Sequence, residues 1–159
     1  MSLKIVLISP QIPQNTGNIA RLTAGTKIEL HLIKPLGFEL SNKYLKRAGL
    51  DYWPEVNCAI HENWNCFLKE TKCKTSDAWF FSTRAILPYY GVTYKKDDFL
   101  VFGSETKGLS DYYHREYETR KLAIPIDNPK IRSYNLSNSV AIVLFEAKRQ
   151  LNDWRHNHG

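Results

Sequence analysis

Short apolar runs that alternate with helical patterns constrain the fold of this chain most strongly. The first run, residues 4–8, is almost continuously apolar, which is typical of a strand covered on both faces of a parallel sheet. Five further strands are predicted at residues 29–33, 55–60, 78–82, 98–103 and 122–126. Helical patterns between and after these runs predict an α/β fold with a mostly parallel sheet flanked by helices.

Four helices are predicted from the same patterns. A short helix follows Pro13 and turns Ile19 and Leu22 inward, and the others cover residues 42–48, 63–70 and 136–152. The last helix carries one apolar face, made of Leu136, Val140, Val143, Leu144, Ala147 and Leu151. Ile142 and Phe145 extend its apolar surface further around, so we expect it to be buried in its own core and against a partner in a homodimer. A central helix within one domain is the alternative.

Length and composition exclude several classes of protein. The chain has 159 residues, of which 43% are hydrophobic, which predicts one globular domain over residues 1–159. No apolar run is long enough to span a bilayer and no signal peptide is recognised, so we expect a cytoplasmic protein without a membrane partner. The three cysteines lack CxxC spacing and the five histidines are scattered, which argues against a metal site.

The net charge of +6 and the pI near 9.2 suit a polyanionic partner. Basic residues form three clusters: Lys43, Lys46 and Arg47; Arg115, Arg120 and Lys121; and Lys148, Arg149 and Arg155. The aromatic pair Tyr52 and Trp53 beside the first cluster could bind RNA by stacking and phosphate contact. The alternatives are that the basic clusters form an ordinary solvated surface and that Tyr52 and Trp53 are core residues.

Three polar segments follow predicted strands, at residues 15–18, 103–108 and 132–138. Because ligands bind outside the carboxyl ends of strands in open α/β sheets, all three segments can share one edge of the sheet. The third has six polar side chains out of seven and leads into the most apolar run of the chain. Free N–H groups at the start of that helix favour a ligand site, whereas a simple capping segment, with Asn135 or Ser137 as the cap, is the alternative.

The first two segments indicate contacts with a phosphate or a closely approaching ligand. Gly17 allows a tight turn, Asn18 is an expected N-cap, and Arg21 in the first helical turn suits a phosphate. Gly103 at a strand end allows a ligand to touch the backbone. For the first segment, the alternative is a capped helix on which Arg21 is simply exposed. For the second, it is a βα turn in which Glu105 pairs with Lys107. Neither segment is a dinucleotide or triphosphate loop.

The three segments together resemble the motifs of the knotted SPOUT RNA methyltransferases, in the ribose 2′-O-methyltransferase branch. The patterns are Asn-x-Gly-Asn-x-x-Arg from residue 15, Phe-Gly-x-Glu-x-x-Gly-Leu from residue 102 and Arg-Ser-x-Asn-Leu-Ser-Asn from residue 132. Residues 31–38 and 46–53 are similar to segments of the small bacterial tRNA (cytidine/uridine wobble) 2′-O-methyltransferases. The resemblance covers nearly the whole chain.

The resemblance implies a C-terminal trefoil knot, a homodimer, and S-adenosyl-L-methionine bound in the knot loops. The residues that would line the cofactor pocket are Phe81, Ser82, Gly103, Ile124, Ser133 and Leu136. The resemblance also implies catalytic roles for Arg21, Glu105 and Asn135. We expect Arg21 to bind a phosphate of the substrate and to lower the pKa of the 2′-hydroxyl that is methylated. Asn15, Asn18, Arg132 and Ser137 are the expected substrate-binding residues.

The implied reaction is methyl transfer to the 2′-hydroxyl of the wobble nucleotide, position 34, in a tRNA anticodon stem-loop. A compact target of this kind suits a chain that has no appended RNA-binding domain. The alternatives are the same chemistry on ribosomal RNA, a non-catalytic RNA-binding module of the same fold, and a nucleotide-binding oxidoreductase, which the absent glycine fingerprint disfavours.

Overall fold

The computed structural model describes residues 2–41 and 53–152, and its centre is a parallel sheet. The strands are β1 (Lys4–Ile8), β2 (Glu29–Ile33), β3 (Cys58–His61), β4 (Ala78–Phe81), β5 (Phe99–Phe102) and β6 (Lys121–Leu122). Their order is β3-β2-β1-β5-β4-β6, and all neighbouring strands run parallel. The order therefore reverses between β1 and β5, which places a ligand crevice at their carboxyl ends.

The helices of the described residues lie on both faces of this sheet. They are α1 (Pro13–Thr26), α2 (Trp64–Thr71), α3 (Asp111–Glu116) and α4 (Leu136–Gln150). Short 3-10 turns cover Trp53–Glu55, Thr75–Asp77 and Glu118–Arg120. The α/β architecture with a parallel sheet flanked by helices is the one that the sequence predicts.

Alternate residues of each strand enter two separate cores, as the pleat of a strand requires. Ile5 and Leu7 of β1 pack in the core that holds α1 and α4. Val6 and Ile8 pack in the other core with the aromatic residues of α2 and α3, including Phe67. Both faces of β1 are therefore covered, which explains its continuous apolar sequence.

The start of α1 corrects two predictions. The helix begins at Pro13 and its N-cap is Ile12, so Asn18 is an exposed residue inside the helix and not the cap. Gly17 is a buried helical residue and makes no tight turn, and Arg21 lies in the helix interior instead of the first turn. The physical reason is that Pro13 has the φ angle of a helix and needs no N–H donor at this position, so the helix starts at the proline.

Other element boundaries differ less. Strand β3 begins at Cys58, not at residue 55, because Trp53–Glu55 forms a 3-10 turn. Strand β6 ends at Leu122, since beyond it only Ala123 pairs, in an isolated bridge to Pro88. Helix α3 was not predicted, because six residues are too few to show a helical period. The helix predicted at residues 42–48 lies outside the described residues.

Helix α4 has the buried face that the sequence predicts. Five of its six predicted residues are buried, and the sixth, Leu151, packs against the same core while partly exposed. Ile142 and Phe145 are each 39% exposed. The alternative of a fully central helix is therefore wrong for the described part of the chain, because the second apolar surface of α4 is partly exposed.

The fold uses several of the clustered basic residues internally. Arg120 stacks 3.5 Å over the ring of Trp79 and donates hydrogen bonds to the carbonyls of Ser76 and Ala78. Lys121 pairs with Glu118 at 3.0 Å. These contacts hold the edge of the sheet at β6, so the second cluster is only in part a surface for a polyanion. The first cluster lies outside the described residues.

A pair of buried histidines joins β2 to β3. Nδ1 of His31 lies 2.9 Å from Nε2 of His61, and both side chains are almost fully buried. Nδ1 of His61 bonds to Glu70, while Nε2 of His31 lies 3.0 Å from Glu29 at an angle that makes no hydrogen bond. Burial, together with the charges of His61 and Lys4, lowers the pKa of His31 to about 4.

The neutral form of His31 makes stability depend on pH. The unfolded chain takes up a proton near pH 6.5 and the folded chain only near pH 4, so the contribution is full above pH 6.5 and is lost as the pH falls toward 4. We expect the free energy of unfolding to fall by about 2 kcal/mol between pH 7 and pH 5. Urea unfolding at both pH values measures this difference, and His31→Leu should make it smaller. The same fall in unfolding free energy between pH 7 and pH 5 for both proteins would contradict this role of His31.

Candidate active site

The three polar segments meet at the carboxyl edge of the sheet, around a cavity of about 580 Å³. The lining comes from the ends of β4 and β5, the chain after β6, and the starts of α1 and α4. This volume lies within the usual range of small-molecule sites. The prediction that all three segments share one edge of the sheet is confirmed.

A chain of side-chain hydrogen bonds joins the three segments. Nδ2 of Asn15 donates to Oε2 of Glu105 at 3.3 Å, and Oδ1 of Asn15 accepts from Nδ2 of Asn135 at 2.9 Å. Asn15 is only 6% exposed, so its amide is committed to these two partners. One amide thus fixes the second and third segments to the start of α1.

The carboxylate of Glu105 caps α1 from a distant part of the sequence. It accepts hydrogen bonds from the backbone N–H groups of Gln11 at 2.8 Å and Ile12 at 2.6 Å. Helix α1 has no side-chain cap of its own at Ile12, and an anion there also suits the helix dipole. The predicted alternative, a surface pair of Glu105 with Lys107, is not what the described residues show.

Backbone segments approach closely where the second segment leaves β5. A Cβ atom on Gly103 would lie 2.2 Å from the carbonyl carbon of Gly108, so no side chain fits. The turn closes through hydrogen bonds between Ser104 and Gly108 in both directions, at 3.2 and 2.9 Å. Gly108 has a φ of +62°, which favours glycine. The two glycines therefore set the shape of one cavity wall.

Asn135 is the N-cap of α4, so the capping interpretation of the third segment is correct. Its Oδ1 accepts from the backbone N–H groups of Ser137 and Asn138, at 2.9 and 3.3 Å, and from the Ser137 hydroxyl at 2.6 Å. Its Nδ2 still donates to Asn15. The oxygen of this amide therefore caps α4, and its nitrogen joins the third segment to Asn15.

The cavity brings together most of the predicted site residues. All six predicted cofactor residues line it, namely Phe81, Ser82, Gly103, Ile124, Ser133 and Leu136, and so do Asn15, Glu105, Arg132 and Asn135. Three predicted residues do not line it: Asn18 and Arg21 are exposed on α1, and Ser137 is partly buried in the first turn of α4.

Several lining residues are not among the predicted site residues. Arg84 pairs with Asp111 at 3.2 Å near the cavity, and His114 from α3 forms part of the wall. Tyr134 donates its hydroxyl to the carbonyl of Pro125 at 3.1 Å, which ties the third segment to the chain after β6. Periodicity cannot find these residues, because only the tertiary fold brings them together; for Arg84, its position just after a strand end is a weak signal.

Two further predictions concern the aromatic pair Tyr52 and Trp53 and a metal site. Trp53 is half-buried and packs against the core of α1 and α4, which favours the core interpretation over stacking on RNA. Tyr52 lies outside the described residues. Within residues 2–41 and 53–152, no group of three or more His, Cys, Asp or Glu side chains could hold a metal ion. Nor is any helix in those ranges both long and apolar enough to cross a bilayer.

This fold and site define a class of α/β proteins with a ligand cavity at the switch point of a parallel sheet. Residues 2–145 match the model of the SpoU rRNA Methylase family. The chain belongs to the SpoU rRNA Methylase family.

Individual relatives are similar over almost the whole chain. The tRNA (cytidine(34)-2′-O)-methyltransferase of Saccharophagus degradans is 46% identical over 92% of this chain and 94% of its own. A structure described as giving insights into the 2-OH methylation of C/U34 on tRNA has a TM-score of 0.86 and 40% identity, with 96% and 98% of the two chains covered.

A more distant structure supports the fold alone. The SpoU methyltransferase AviRb from Streptomyces viridochromogenes, in complex with AdoMet, has a TM-score of 0.81 at 18% identity. The match covers 96% of this chain and 62% of AviRb.

Gly103 and Gly25 provide a matched test of the cavity wall. We expect Gly103→Ala to destabilise the protein by about 3 kcal/mol, because its Cβ would meet backbone atoms of Gly108 that cannot move aside cheaply. A Cβ on Gly25 in α1 would meet nothing within 4 Å, so Gly25→Ala should stabilise by up to about 1 kcal/mol. Urea unfolding measures both; equal stability of the two variants would contradict the close approach.

Proposed function

We propose that this protein transfers a methyl group from S-adenosyl-L-methionine to the 2′-hydroxyl of the wobble nucleotide, position 34, in a tRNA anticodon loop. The single observation that carries the proposal is the Asn135–Asn15–Glu105 chain, which fixes all three motif segments around one cavity. The relatives named for this reaction support it, because they match over nearly the full chain.

The cavity fits the cofactor on physical grounds. Its volume of about 580 Å³ suits a nucleoside-sized ligand, and the close approach of Gly103 to the backbone of Gly108 sets the shape of its wall. We assign the holding of the cofactor to Phe81, Ser82, Ile124, Ser133 and Leu136, together with Gly103. When bound, the cofactor supplies an activated methyl group on a sulfonium.

The charges around the cavity suit an RNA substrate. Arg84, Lys107 and Arg132 line it and are exposed, whereas the carboxylate of Glu105 is occupied by N–H donors at the start of α1. A phosphate therefore meets exposed cations there. We assign Asn15 and Glu105 the task of holding the site in shape, and Arg132, Ser137 and Asn18 contacts with the substrate.

We assign Arg21 to the phosphate next to the reacting ribose. A guanidinium does not readily give up its proton, so Arg21 acts as a clamp that also lowers the pKa of the 2′-hydroxyl. Positioning of the hydroxyl against the methyl donor then supplies most of the acceleration. Arg21 is exposed on α1 and does not line the cavity of its own chain.

A homodimer would bring Arg21 to a second cavity. Helix α1 contacts α4, and α4 leaves Ile142 and Phe145 exposed. If a second copy of the chain covers this apolar surface, the exposed face of α1 lies in the same interface.

We also propose the C-terminal trefoil knot, because the chain returns from β6 at the edge of the sheet to pack α4 against α1 and β5.

The reaction is tested with bulk tRNA from a strain that lacks the protein and with labelled S-adenosyl-L-methionine. We expect a 2′-O-methylated pyrimidine at position 34. Labelling of ribosomal RNA alone would replace the tRNA proposal by its nearest alternative. Absence of cofactor binding would favour a non-catalytic RNA-binding module.

Replacing Arg21 tests its role in that assay. Arg21→Ala should lower kcat about 100-fold, because one charge-stabilising group is removed, and Arg21→Lys should recover part of the loss. Lys69→Ala removes a cation from an exposed position of α2 and should leave kcat unchanged. Full turnover by Arg21→Ala would refute the clamp.

The dimer is tested by charging its apolar face. We expect a dimer for the wild type and a monomer for Phe145→Glu, because a carboxylate would be buried in the interface. Tyr112→Glu changes an equally exposed aromatic residue on α3, at 42% exposure, and should remain dimeric. Sedimentation equilibrium measures the mass; a monomeric wild type or a dimeric Phe145→Glu would contradict the interface.

A further inference from the structure

His114 connects two structural elements at the wall of the cavity and has no part in the proposed chemistry. It lies on α3 and is only 5% exposed. Its Nδ1 lies 3.4 Å from the ammonium nitrogen of Lys121 on β6, and its ring also hydrogen-bonds to the backbone of Leu109. The imidazole thus links β6 to Leu109, the residue directly after the second polar segment.

The partner of His114 is held firmly in place. The side chain of Lys121 is 11% exposed, and its ammonium group also pairs with Glu118 at 3.0 Å. Lys121 itself sits in the sheet, because it pairs with Phe80 of β4. An ammonium group has donors only, so the contact with Lys121 requires a ring nitrogen of His114 that carries no proton.

Leu109, the other partner of His114, lies next to the close approach of the backbone at Gly103 and Gly108. The N atom of Leu109 would lie 2.4 Å from a Cβ on Gly103, and the preceding residue, Gly108, closes the turn onto Ser104. A shift of Leu109 therefore moves the wall formed by Gly103. The same turn carries Glu105, which caps α1.

We propose that His114 is a positioning residue for cofactor binding. As a neutral ring it accepts a hydrogen bond from Lys121 and donates one to Leu109, and this double contact holds the turn of residues 104–109 in the shape that the cofactor needs. This inference rests on the proposed function. Uptake of a proton by His114 removes the acceptor and places two positive charges together, so the turn loosens.

The charges around His114 favour its neutral form. Burial, followed by the positive charges of Arg84 and Lys121, lowers the pKa of His114, while the hydrogen bond to Leu109 and the charge of Asp111 act in the opposite direction. Glu118 faces the ring only through Lys121. The ring is therefore neutral at pH 7 and takes up its proton below the ordinary value of 6.5. Cofactor affinity should fall as the pH is lowered through that range.

Two variants separate the role of His114 from a general effect of pH. His114→Asn keeps an acceptor near the position of Nδ1 but does not titrate. His114→Phe keeps an aromatic ring and removes both hydrogen bonds, which leaves the buried ammonium of Lys121 facing an apolar group. Both variants keep His31, so any loss of stability at low pH from that residue is common to all three proteins.

The experiment measures the Kd for S-adenosyl-L-methionine by calorimetry at pH 7.5 and 5.5, with circular dichroism to verify the fold at each pH. We expect wild-type affinity to fall between pH 7.5 and pH 5.5. His114→Asn should bind within about threefold of the wild type at pH 7.5, with no further loss at pH 5.5. His114→Phe should bind about tenfold more weakly at pH 7.5.

The outcomes distinguish this inference from the proposed function. Equal pH profiles of the wild type and His114→Asn, or wild-type affinity of folded His114→Phe, would overturn the role of His114 alone. A folded wild type that does not bind S-adenosyl-L-methionine at pH 7.5 would overturn the proposed function, and this inference with it.

Discussion

The amide of Asn15 is the contact on which the geometry of the site depends. It donates to Glu105 and accepts from Asn135, so one buried side chain fixes three segments that are far apart in the sequence. Each partner also caps a helix: Glu105 binds the N–H groups before α1, and Asn135 binds those at the start of α4. Helix capping and site assembly are therefore a single network, in which loss of one member leaves helix N–H groups or the buried amide of Asn15 without a partner.

This network explains how segments far apart in the sequence form one cavity. The parallel sheet brings the carboxyl ends of β4, β5 and β6 to one edge, and the turn at Gly103 and Gly108 brings two backbone segments into contact there. Exposed cations, including Arg84 and Arg132, surround the cavity, while the nearby carboxylate faces inward. The site thus offers a polar, preorganised cavity and a positively charged approach for RNA.

The sequence predicted the sheet and the meeting of the three segments because both depend on local patterns. Continuous apolar runs mark buried parallel strands, and polar residues directly after them mark the edge where ligands bind. The sequence pattern predicts a helix that follows Pro13, whereas Pro13 is the first residue of α1 because its φ angle already suits a helix. His114 could not be predicted because the six residues of α3 are too few to show a helical period. The bridging role of Asn15 could not be predicted because its two partners lie 90 and 120 residues away in the chain. The pairing of His31 with His61 has the same cause.

The central claim is that the ends of β4 and β5 and the third polar segment form one cofactor site around the cavity. Amide hydrogen exchange measured with and without S-adenosyl-L-methionine tests it most directly. The account predicts that peptides covering residues 81–84, 103–109 and 132–138 become protected together, while α2, on the opposite face of the sheet, is unchanged. Protection of only one segment, or protection centred on α2, would contradict the account.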